Sequence, residues 1–161
     1  MSEYICFECG YADDHNYQVC PNCNHNSNKP NVVVTDGLLV KHISDQKGRG
    51  VVATKKFYYG DMIESCPVII VPSEQAYLMV ENTLWHYMFP WKVYDGAIGD
   101  RAIAMGYGML YNHHHDPNAM YRFNDNSSLP SIDFFAKKDI NVGDEITIDY
   151  GDNLWFPYFK E

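Results

Sequence analysis

Basic side chains are scarce in this sequence: 12 Lys and Arg residues stand against 21 Asp and Glu residues, for a formal net charge of −9 at pH 7. Such a chain lacks the clustered Lys and Arg that binding to a nucleic-acid backbone requires. We therefore expect no direct nucleic-acid binding. The excess of carboxylates favours basic protein partners, although solubility alone explains the same balance.

Long hydrophobic runs are also missing. No stretch approaches the roughly 18 to 20 consecutive apolar residues that a membrane-spanning helix needs, and the N-terminus lacks a signal-peptide pattern. We therefore expect no membrane contact and an intracellular protein, cytoplasmic or nuclear rather than secreted. With 46% hydrophobic and 15% aromatic residues, the 161-residue chain has enough apolar material for one main domain plus a small appendage.

Cysteine is concentrated at the N-terminus and does not occur after Cys66. The other four cysteines form two Cys-x-x-Cys pairs, Cys6 with Cys9 and Cys20 with Cys23. Each pair aims two thiolates at one metal, which fits tetrahedral zinc. We predict a zinc ribbon over residues 1–28 with one structural Zn²⁺. Rubredoxin-type iron and a redox disulfide are the alternatives, and Cys66 is expected to be a small core residue.

Short strands separated by turns fill the rest of the chain. Residues 24–31 are polar and contain a proline, which is typical of a linker, so the second domain is predicted over residues 29–161. A short helix is predicted over residues 74–81 with Ser73 as its cap, and the aromatic segment 84–91 is predicted to be extended. The fold class is therefore mostly β, built from small sheets. The predicted strands cover residues 32–35, 38–42, 51–55, 62–65, 68–71, 101–105, 131–136 and 145–149.

Three short motifs in a fixed order stand out in the second domain. They read KGRG at residues 47–50, YNHHHDPN at 111–118 and DEITIDYGD at 144–152. They resemble the signature of SET-domain protein-lysine methyltransferases, which has a Gly-x-Gly turn, an Asn-His-Ser-x-x-x-Pro-Asn segment and a Glu-Leu-x-x-x-Tyr segment. The resemblance runs from about Val32 to the end and looks strongest to the short viral SET proteins, which lack flanking pre-SET domains. It implies small β-sheets with a C-terminal segment tucked beneath a preceding loop in a pseudoknot.

The resemblance implies transfer of a methyl group from S-adenosyl-L-methionine to the ε-amine of a lysine in a protein, either a histone tail or a non-histone protein. Tyr150 aligns with the last Tyr of the family's third motif, which makes it the implied catalytic residue beside the cofactor. Its hydroxyl would orient the amine and the transferring methyl. Because the methyl donor is already activated, such an enzyme mainly needs geometry, a desolvated path and a deprotonated amine. A structural tyrosine at the end of a strand is the alternative.

Cofactor contacts are implied at the first two motifs. Asn112 and His113 match the family's Asn-His pair, and an amide and an imidazole can both donate and accept hydrogen bonds. Gly50 lets the backbone approach a ligand closely, and Arg49 either faces the cofactor carboxylate or stays solvated. His114 stands where the family usually has Ser. A metal site in the histidine run is disfavoured, because neighbouring side chains on an extended chain point to opposite sides.

The lysine channel is implied at two further positions. Tyr121 falls where the family can place a tyrosine lining this channel, and Ile148 stands where other members carry an aromatic residue that controls methyl number. A hydroxyl at Tyr121 leaves little room for added methyls, so we expect one or two methyls rather than three. The aromatic tail is expected to complete the channel in place of the family's C-terminal zinc motif, with Trp155 or Phe156 covering the adenine. Simple packing of the tail is the alternative.

Two other classes of function are alternatives to a methyltransferase. A zinc-ribbon adaptor that binds peptide or cofactor without turnover has the same fold, although an idle site has no chemical need for Tyr150, Asn112 and His113 together. A hydrolase or oxygenase that uses the histidine run fails on ligand spacing. A homodimer is implied only by the resemblance to the short viral members.

Overall fold

The computed structural model describes residues 34–94, 97–125 and 129–151, and the backbone pairing of β1 (Tyr4–Ile5) with β2 (Ala12–Asp13) near the N-terminus. The four cysteines of the predicted zinc ribbon, the linker and the tail that contains Trp155 lie outside the described residues. None of the helices in the described ranges is long and apolar enough to span a bilayer.

Two five-stranded sheets form the main part of the described residues from Val34 onward. In spatial order, the first sheet contains β3 (Val34–Thr35), β4 (Leu38–Ser44), β5 (Gly48–Ala53), β12 (Glu145–Ile148) and β9 (Asn112–His113). The second contains β10 (Ala119–Asn124), β11 (Ser131–Ala136), β6 (Met62–Val71), β8 (Ala97–Ala104) and β7 (Phe89–Tyr94). The predicted fold class, mostly β with small sheets, is therefore confirmed.

The main apolar core joins the two sheets. Its fully buried side chains include Leu38 and Ile146 from the first sheet and Ile132 and Phe134 from the second. In β11 the buried residues alternate with partly exposed ones, as expected for a strand with one face on the core. Each large apolar side chain removed from water in this way contributes about 1.5–3 kcal/mol, so the core is the main source of stability. Cys66 lies in the same cluster, where the sequence placed it.

Strand β6 corrects one prediction, because residues 62–65 and 68–71 belong to a single strand. Its first half pairs with β11 and its second half pairs with β8. Pro67 lies where the partner changes, and its carbonyl accepts the N–H of Met105 at 2.8 Å. A proline lacks the N–H that continuous pairing needs, and this changeover is a position where the loss is tolerated.

The helix predicted over residues 74–81 is shorter in the structure. Helix α1 covers only Ser73–Tyr77, and turns follow it. Ser73 provides no side-chain cap; instead its backbone N–H donates to Asp100 Oδ1 at 3.0 Å. The start of this helix is thus fixed by a residue in β8, a long-range contact that a local capping pattern does not reveal.

The aromatic segment 84–91 was predicted to be extended, which is wrong for its first half. A 3-10 helix covers Thr83–Tyr87, and β7 begins only at Phe89. The backbone N–H of Trp85 donates to the Asn82 carbonyl at 3.0 Å, which forms the tight turn at the start of this helix. A second 3-10 helix, Gly108–Leu110, lies in the segment 106–111, for which the sequence had no clear pattern.

Strand β12 passes between β5 and β9, pairing antiparallel with the former and parallel with the latter. The loop after β9 crosses this strand and is bound to it by Asn118. The Asn118 Nδ2 donates to the Glu145 carbonyl at 2.8 Å, and Asn118 Oδ1 accepts the backbone N–H of Thr147 at 2.9 Å. A C-terminal segment is therefore enclosed by an earlier loop, which is the predicted pseudoknot.

Replacing Asn118 by Ala removes both hydrogen bonds and leaves two partly buried backbone groups of β12 without them. We expect the free energy of unfolding to fall by about 2 kcal/mol, since each unsatisfied buried polar group costs roughly 1–3 kcal/mol. Urea denaturation of N118A beside wild type measures this change. The matched control is N124A, because Asn124 is exposed at the end of β10. Equal loss of stability in both variants would contradict the role of Asn118.

Candidate active site

Tyr150 lies just after β12, at the point where this strand leaves the pseudoknot. Its hydroxyl donates to the Tyr111 carbonyl at 2.6 Å, and its backbone N–H donates to His113 Nδ1 at 3.1 Å. Burial raises the pKa of Tyr150 to about 12, and nearby Tyr87 and Glu145 add to the shift. The phenol is therefore protonated at neutral pH. It is suited to orient a reacting group as a hydrogen-bonding hydroxyl and is poorly suited to act as a base.

His113 is a neutral hydrogen-bond acceptor in this arrangement. Only 8% of the residue is exposed, and burial lowers its pKa, although the Asp149 carboxylate 3.8 Å from Nδ1 acts in the opposite direction. A neutral imidazole that accepts the Tyr150 N–H at Nδ1 carries its proton on Nε2. The His113 side chain therefore connects β9 to Tyr150.

Asn112, in the second motif, is hydrogen-bonded to residues of the first and third motifs. Its Nδ2 donates to Glu145 Oε1 at 2.7 Å and to the Arg49 carbonyl at 3.2 Å. The other carboxylate oxygen of Glu145 accepts a hydrogen bond from Lys47 Nζ at 3.3 Å. One carboxylate thus links side chains from the three motif segments.

Gly50 is required for this close approach. A Cβ atom at this position would lie 2.6 Å from Asn112 Nδ2 and 2.7 Å from both Glu145 Oε1 and Ile43 Cγ1. Contacts this short do not occur for real Cβ atoms, so any larger residue must displace the Asn112 amide or its partner. The backbone of β5 and the Asn112 side chain can meet only because residue 50 has no side chain.

A cavity of about 460 Å³ opens beside Tyr150. Its aromatic lining comes from Trp85, Tyr87, Phe89, Tyr111, Tyr121 and Tyr150. A second cavity of about 300 Å³ shares Tyr121 and Asp149 with the first. Burial raises the pKa of Tyr121, and Asp149 raises it further, so this phenol is also protonated at neutral pH. Because they share these two residues, the two cavities are adjacent. The neutral Tyr121 hydroxyl and the Asp149 carboxylate lie at their junction.

The structure gathers several of the residues that the sequence singled out. Tyr150 and Tyr121 line the larger cavity, His113 accepts the Tyr150 N–H, and Asn112 precedes His113 in β9. Arg49 is exposed, and its guanidinium is 5.8 Å from the ring centre of Tyr87, which also lines the cavity. Tyr150, Tyr121, His113 and Arg49 thus lie in one region of the structure.

Ile148 has a different environment. It is 1% exposed and packs in the main core. Its contact with a substrate stays a prediction, and so does the role of Trp155, which lies outside the described residues. Within the described ranges, no group of three or more His, Cys, Asp or Glu side chains could hold a metal ion. In the histidine run, the rings of His114 and His115 stack at 4.5 Å.

Two residues that support Tyr150 were not identified from the sequence. Tyr111 is fully buried, and its hydroxyl donates to Glu64 Oε1 at 2.6 Å. Glu64 Oε2 accepts the backbone N–H of Tyr107 at 3.2 Å. Glu64 therefore fixes the segment whose Tyr111 carbonyl binds the Tyr150 hydroxyl. A lone acidic residue inside an otherwise mostly apolar strand was the available signal.

Cys66 lies next to this carboxylate and takes no part in the chemistry. Burial, reinforced by Glu64, raises its pKa to about 12, so the thiol stays protonated and is a poor nucleophile. This agrees with the sequence-based expectation of a small core residue.

Comparisons with known proteins agree with this geometry. The SET domain family matches residues 48–151, more than half of the 161-residue chain. The chain is 28% identical over 114 residues to the H3 lysine-37-specific histone-lysine N-methyltransferase of Schizosaccharomyces pombe, covering 70% of this chain and 73% of that protein. It is 34% identical over 126 residues to the histone-lysine N-methyltransferase Set8 of Drosophila melanogaster, covering 73% of this chain but only 18% of that longer protein.

A solved structure has the same fold. It is that of a candidate histone methyltransferase from Plasmodium falciparum, with a TM-score of 0.59 and 26% identity, and the match covers 76% of this chain and all of that one. This chain therefore belongs to the SET-domain family. The class of enzyme is the protein-lysine methyltransferases, which use S-adenosylmethionine.

The residues present fit that cofactor. Gly50 keeps the β5 backbone free of a side chain next to Asn112, and His113 presents a neutral imidazole. The exposed guanidinium of Arg49 offers a cation for a carboxylate. This set of donors and acceptors suits a ligand with an amino-acid end and an adenine edge.

Substitution of Gly50 by Ala tests this arrangement. We expect at least tenfold weaker binding of S-adenosylmethionine, equivalent to about 1.4 kcal/mol, because the new Cβ displaces the Asn112 amide. Isothermal titration calorimetry measures the dissociation constant. G143A is the control: Gly143 has φ 92°, so an alanine there is strained, but no atom lies within 4 Å of its Cβ position. Cofactor binding by G50A as tight as that of G143A would show that Asn112 does not contribute.

Proposed function

We propose that this chain transfers methyl groups from S-adenosylmethionine to the ε-amine of lysine in a protein substrate, with Tyr150 as the catalytic residue. The observation that carries the proposal is the Tyr150 hydroxyl, bound to the Tyr111 carbonyl at the wall of an aromatic cavity. When bound, the cofactor supplies a methyl group that is already activated for transfer.

The side chains around the cavity have separate tasks in this reaction. The aromatic walls suit a lysine, whose methylenes are apolar and whose head is cationic. Tyr150 keeps its own proton, so its hydroxyl orients the amine instead of removing the amine proton. The amine would give its proton to solvent water before transfer, and burial of an ammonium in an apolar site favours this loss. Catalysis then depends mainly on alignment and on exclusion of water.

The proposed substrate is a lysine in a histone tail. The relatives in Schizosaccharomyces pombe and Drosophila melanogaster are named as histone-lysine methyltransferases, and the net charge of −9 suits a basic protein partner. A basic non-histone protein fits the same charge. The corresponding location is nuclear for a histone substrate and cytoplasmic or nuclear for another protein.

The number of methyls added is proposed to be one or two. Tyr121 supports this, because its ring packs at 5.0 Å from Phe89 and 5.5 Å from Phe123, and its phenol lines the cavity in protonated form. A side chain confined in this way leaves little room for a trimethylated product. Ile148 is proposed to influence methyl number only indirectly, since it lies in the core.

Several finer features remain proposals that rest on the sequence. They are the boundary between a ribbon over residues 1–28 and a SET domain over residues 29–161, the subfamily likeness to short viral SET proteins, the homodimer and the cover that Trp155 forms over the adenine. The supporting observations are the two Cys-x-x-Cys pairs, the absence of cysteine after Cys66 and the aromatic composition of the tail.

The experiment that tests the function is methyl transfer from labelled S-adenosylmethionine to core histones and to cell-lysate proteins, with wild type beside Y150F. We expect labelled lysine with wild type and a loss of about a hundredfold with Y150F, since misplacing a reacting group by about 1 Å can cost about 10²-fold in rate. Mass spectra of the product report methyl number, and a predominance of trimethyl-lysine would contradict the role given to Tyr121.

The other outcomes separate the alternatives. Equal labelling by both proteins would keep the enzyme and remove Tyr150 from the centre of the mechanism. Cofactor binding by wild type without any labelling would favour an adaptor that binds peptide without turnover. Y58F serves as the control, because Tyr58 is an exposed tyrosine outside both cavities.

The zinc ribbon is tested by metal analysis of the purified full-length chain. We expect one zinc ion per chain, held by Cys6, Cys9, Cys20 and Cys23, and loss of this zinc in C9S, because a tetrahedral site needs all four thiolates. C66S is the matched control, since Cys66 is buried in the SET-domain core. Iron instead of zinc would indicate a rubredoxin-type site, and a metal-free chain with a disulfide would overturn the ribbon.

A further inference from the structure

The two cavities beside Tyr150 share only Tyr121 and Asp149 among their described lining residues. These two side chains therefore lie at the junction of the two cavities. The Asp149 side chain is 64% exposed, so its carboxylate is accessible at this junction.

Asp149 is also the one acidic residue among the described residues that line either cavity. Arg101 and His86 are the other residues with ionisable nitrogen groups that line the larger cavity. Lys137 lines the smaller one. The guanidinium of Arg101 lies over the Trp85 ring, 4.1 Å from its centre. A cation that enters either cavity thus meets a single carboxylate, and that carboxylate belongs to Asp149.

Asp149 has two described side-chain contacts, with Gly151 and with His113. Oδ1 accepts the backbone N–H of Gly151 at 2.8 Å and is 3.8 Å from His113 Nδ1. Nδ1 of the neutral His113 accepts the Tyr150 N–H, so it offers Asp149 no proton and no full positive charge. The Gly151 N–H therefore holds the Asp149 carboxylate in place at the junction of the cavities.

We propose that Asp149 receives the ε-ammonium of the substrate lysine at the junction of the two cavities, before the amine loses its proton. This inference rests on the proposed function. A lysine reaches the enzyme as a cation, and a fixed carboxylate attracts that form. Transfer itself needs the neutral amine, which Asp149 does not bind preferentially. Asp149 therefore captures the substrate lysine in its cationic form, while Tyr150 acts at the transfer step.

The substitution D149N isolates the charge from the structural contact, because an amide oxygen can still accept the Gly151 N–H. With core histones as the substrate, we expect KM to rise about fivefold while kcat stays within twofold, in line with the loss of one partly exposed ion pair. The dependence of kcat/KM on salt should weaken, since one attractive charge is gone. D149E should restore most of the wild-type KM.

Two further measurements decide what Asp149 acts on. The dissociation constant of S-adenosylmethionine, measured by calorimetry, should be the same for D149N and wild type. A weaker cofactor affinity would show that Asp149 acts through His113 and would overturn the proposal. E74Q is the charge-matched control, because Glu74 is exposed in the first turn of α1, and its KM should equal that of wild type.

The outcomes also separate this proposal from the function on which it rests. Labelling by wild type with an unchanged KM in D149N would overturn the role of Asp149 and leave the methyltransferase in place. A fall in kcat without a change in KM would move Asp149 to the transfer step and would likewise overturn substrate capture. The absence of any labelling by wild type would overturn the histone methyltransferase itself, and the role of Asp149 with it.

Discussion

The insertion of β12 between β5 and β9 is the constraint on which the site depends. It brings Glu145 beside Asn112 at the start of the strand and places Tyr150 beside His113 just after its end. Neither pair could form from local structure, since the partners are separated by more than thirty residues. The Asn118 side chain then binds the backbone of β12. The position of β12 therefore does not depend on the side chains that later contact a substrate.

Burial also determines the protonation states of the groups around the site. The phenols of Tyr150 and Tyr121 and the thiol of Cys66 have raised pKa values because burial disfavours their charged forms, and burial lowers the pKa of His113 for the same reason. All four groups are therefore neutral at pH 7. The exposed carboxylate of Asp149 differs from them, so the junction of the cavities combines neutral hydrogen-bonding groups with one fixed charge. Such an environment suits a reaction in which a cationic side chain must arrive and then become neutral.

Much of the site could be predicted from the sequence because the motifs are short and their functional residues are close together. Asn112 and His113 are adjacent in the second motif, and Tyr150 lies within the third motif. Glu64 and Tyr111 could not be found in this way, because their roles depend on a contact between strands that are far apart in the chain. For the same reason the sequence divided β6 at Pro67, where only the change of partner shows why the proline is tolerated.

The pseudoknot also determines when a newly made chain can become active. The strand that completes the site pairs with residues 51 and 52, almost a hundred positions earlier. Bringing such distant segments together is entropically unfavourable and slows folding, because local contacts cannot substitute for it. During synthesis, β5 and β6 leave the ribosome long before β12, and until then the edge of β5 has no β12 to cover it. The candidate site therefore forms only after β12 has been made, so chains that end before β12 lack it.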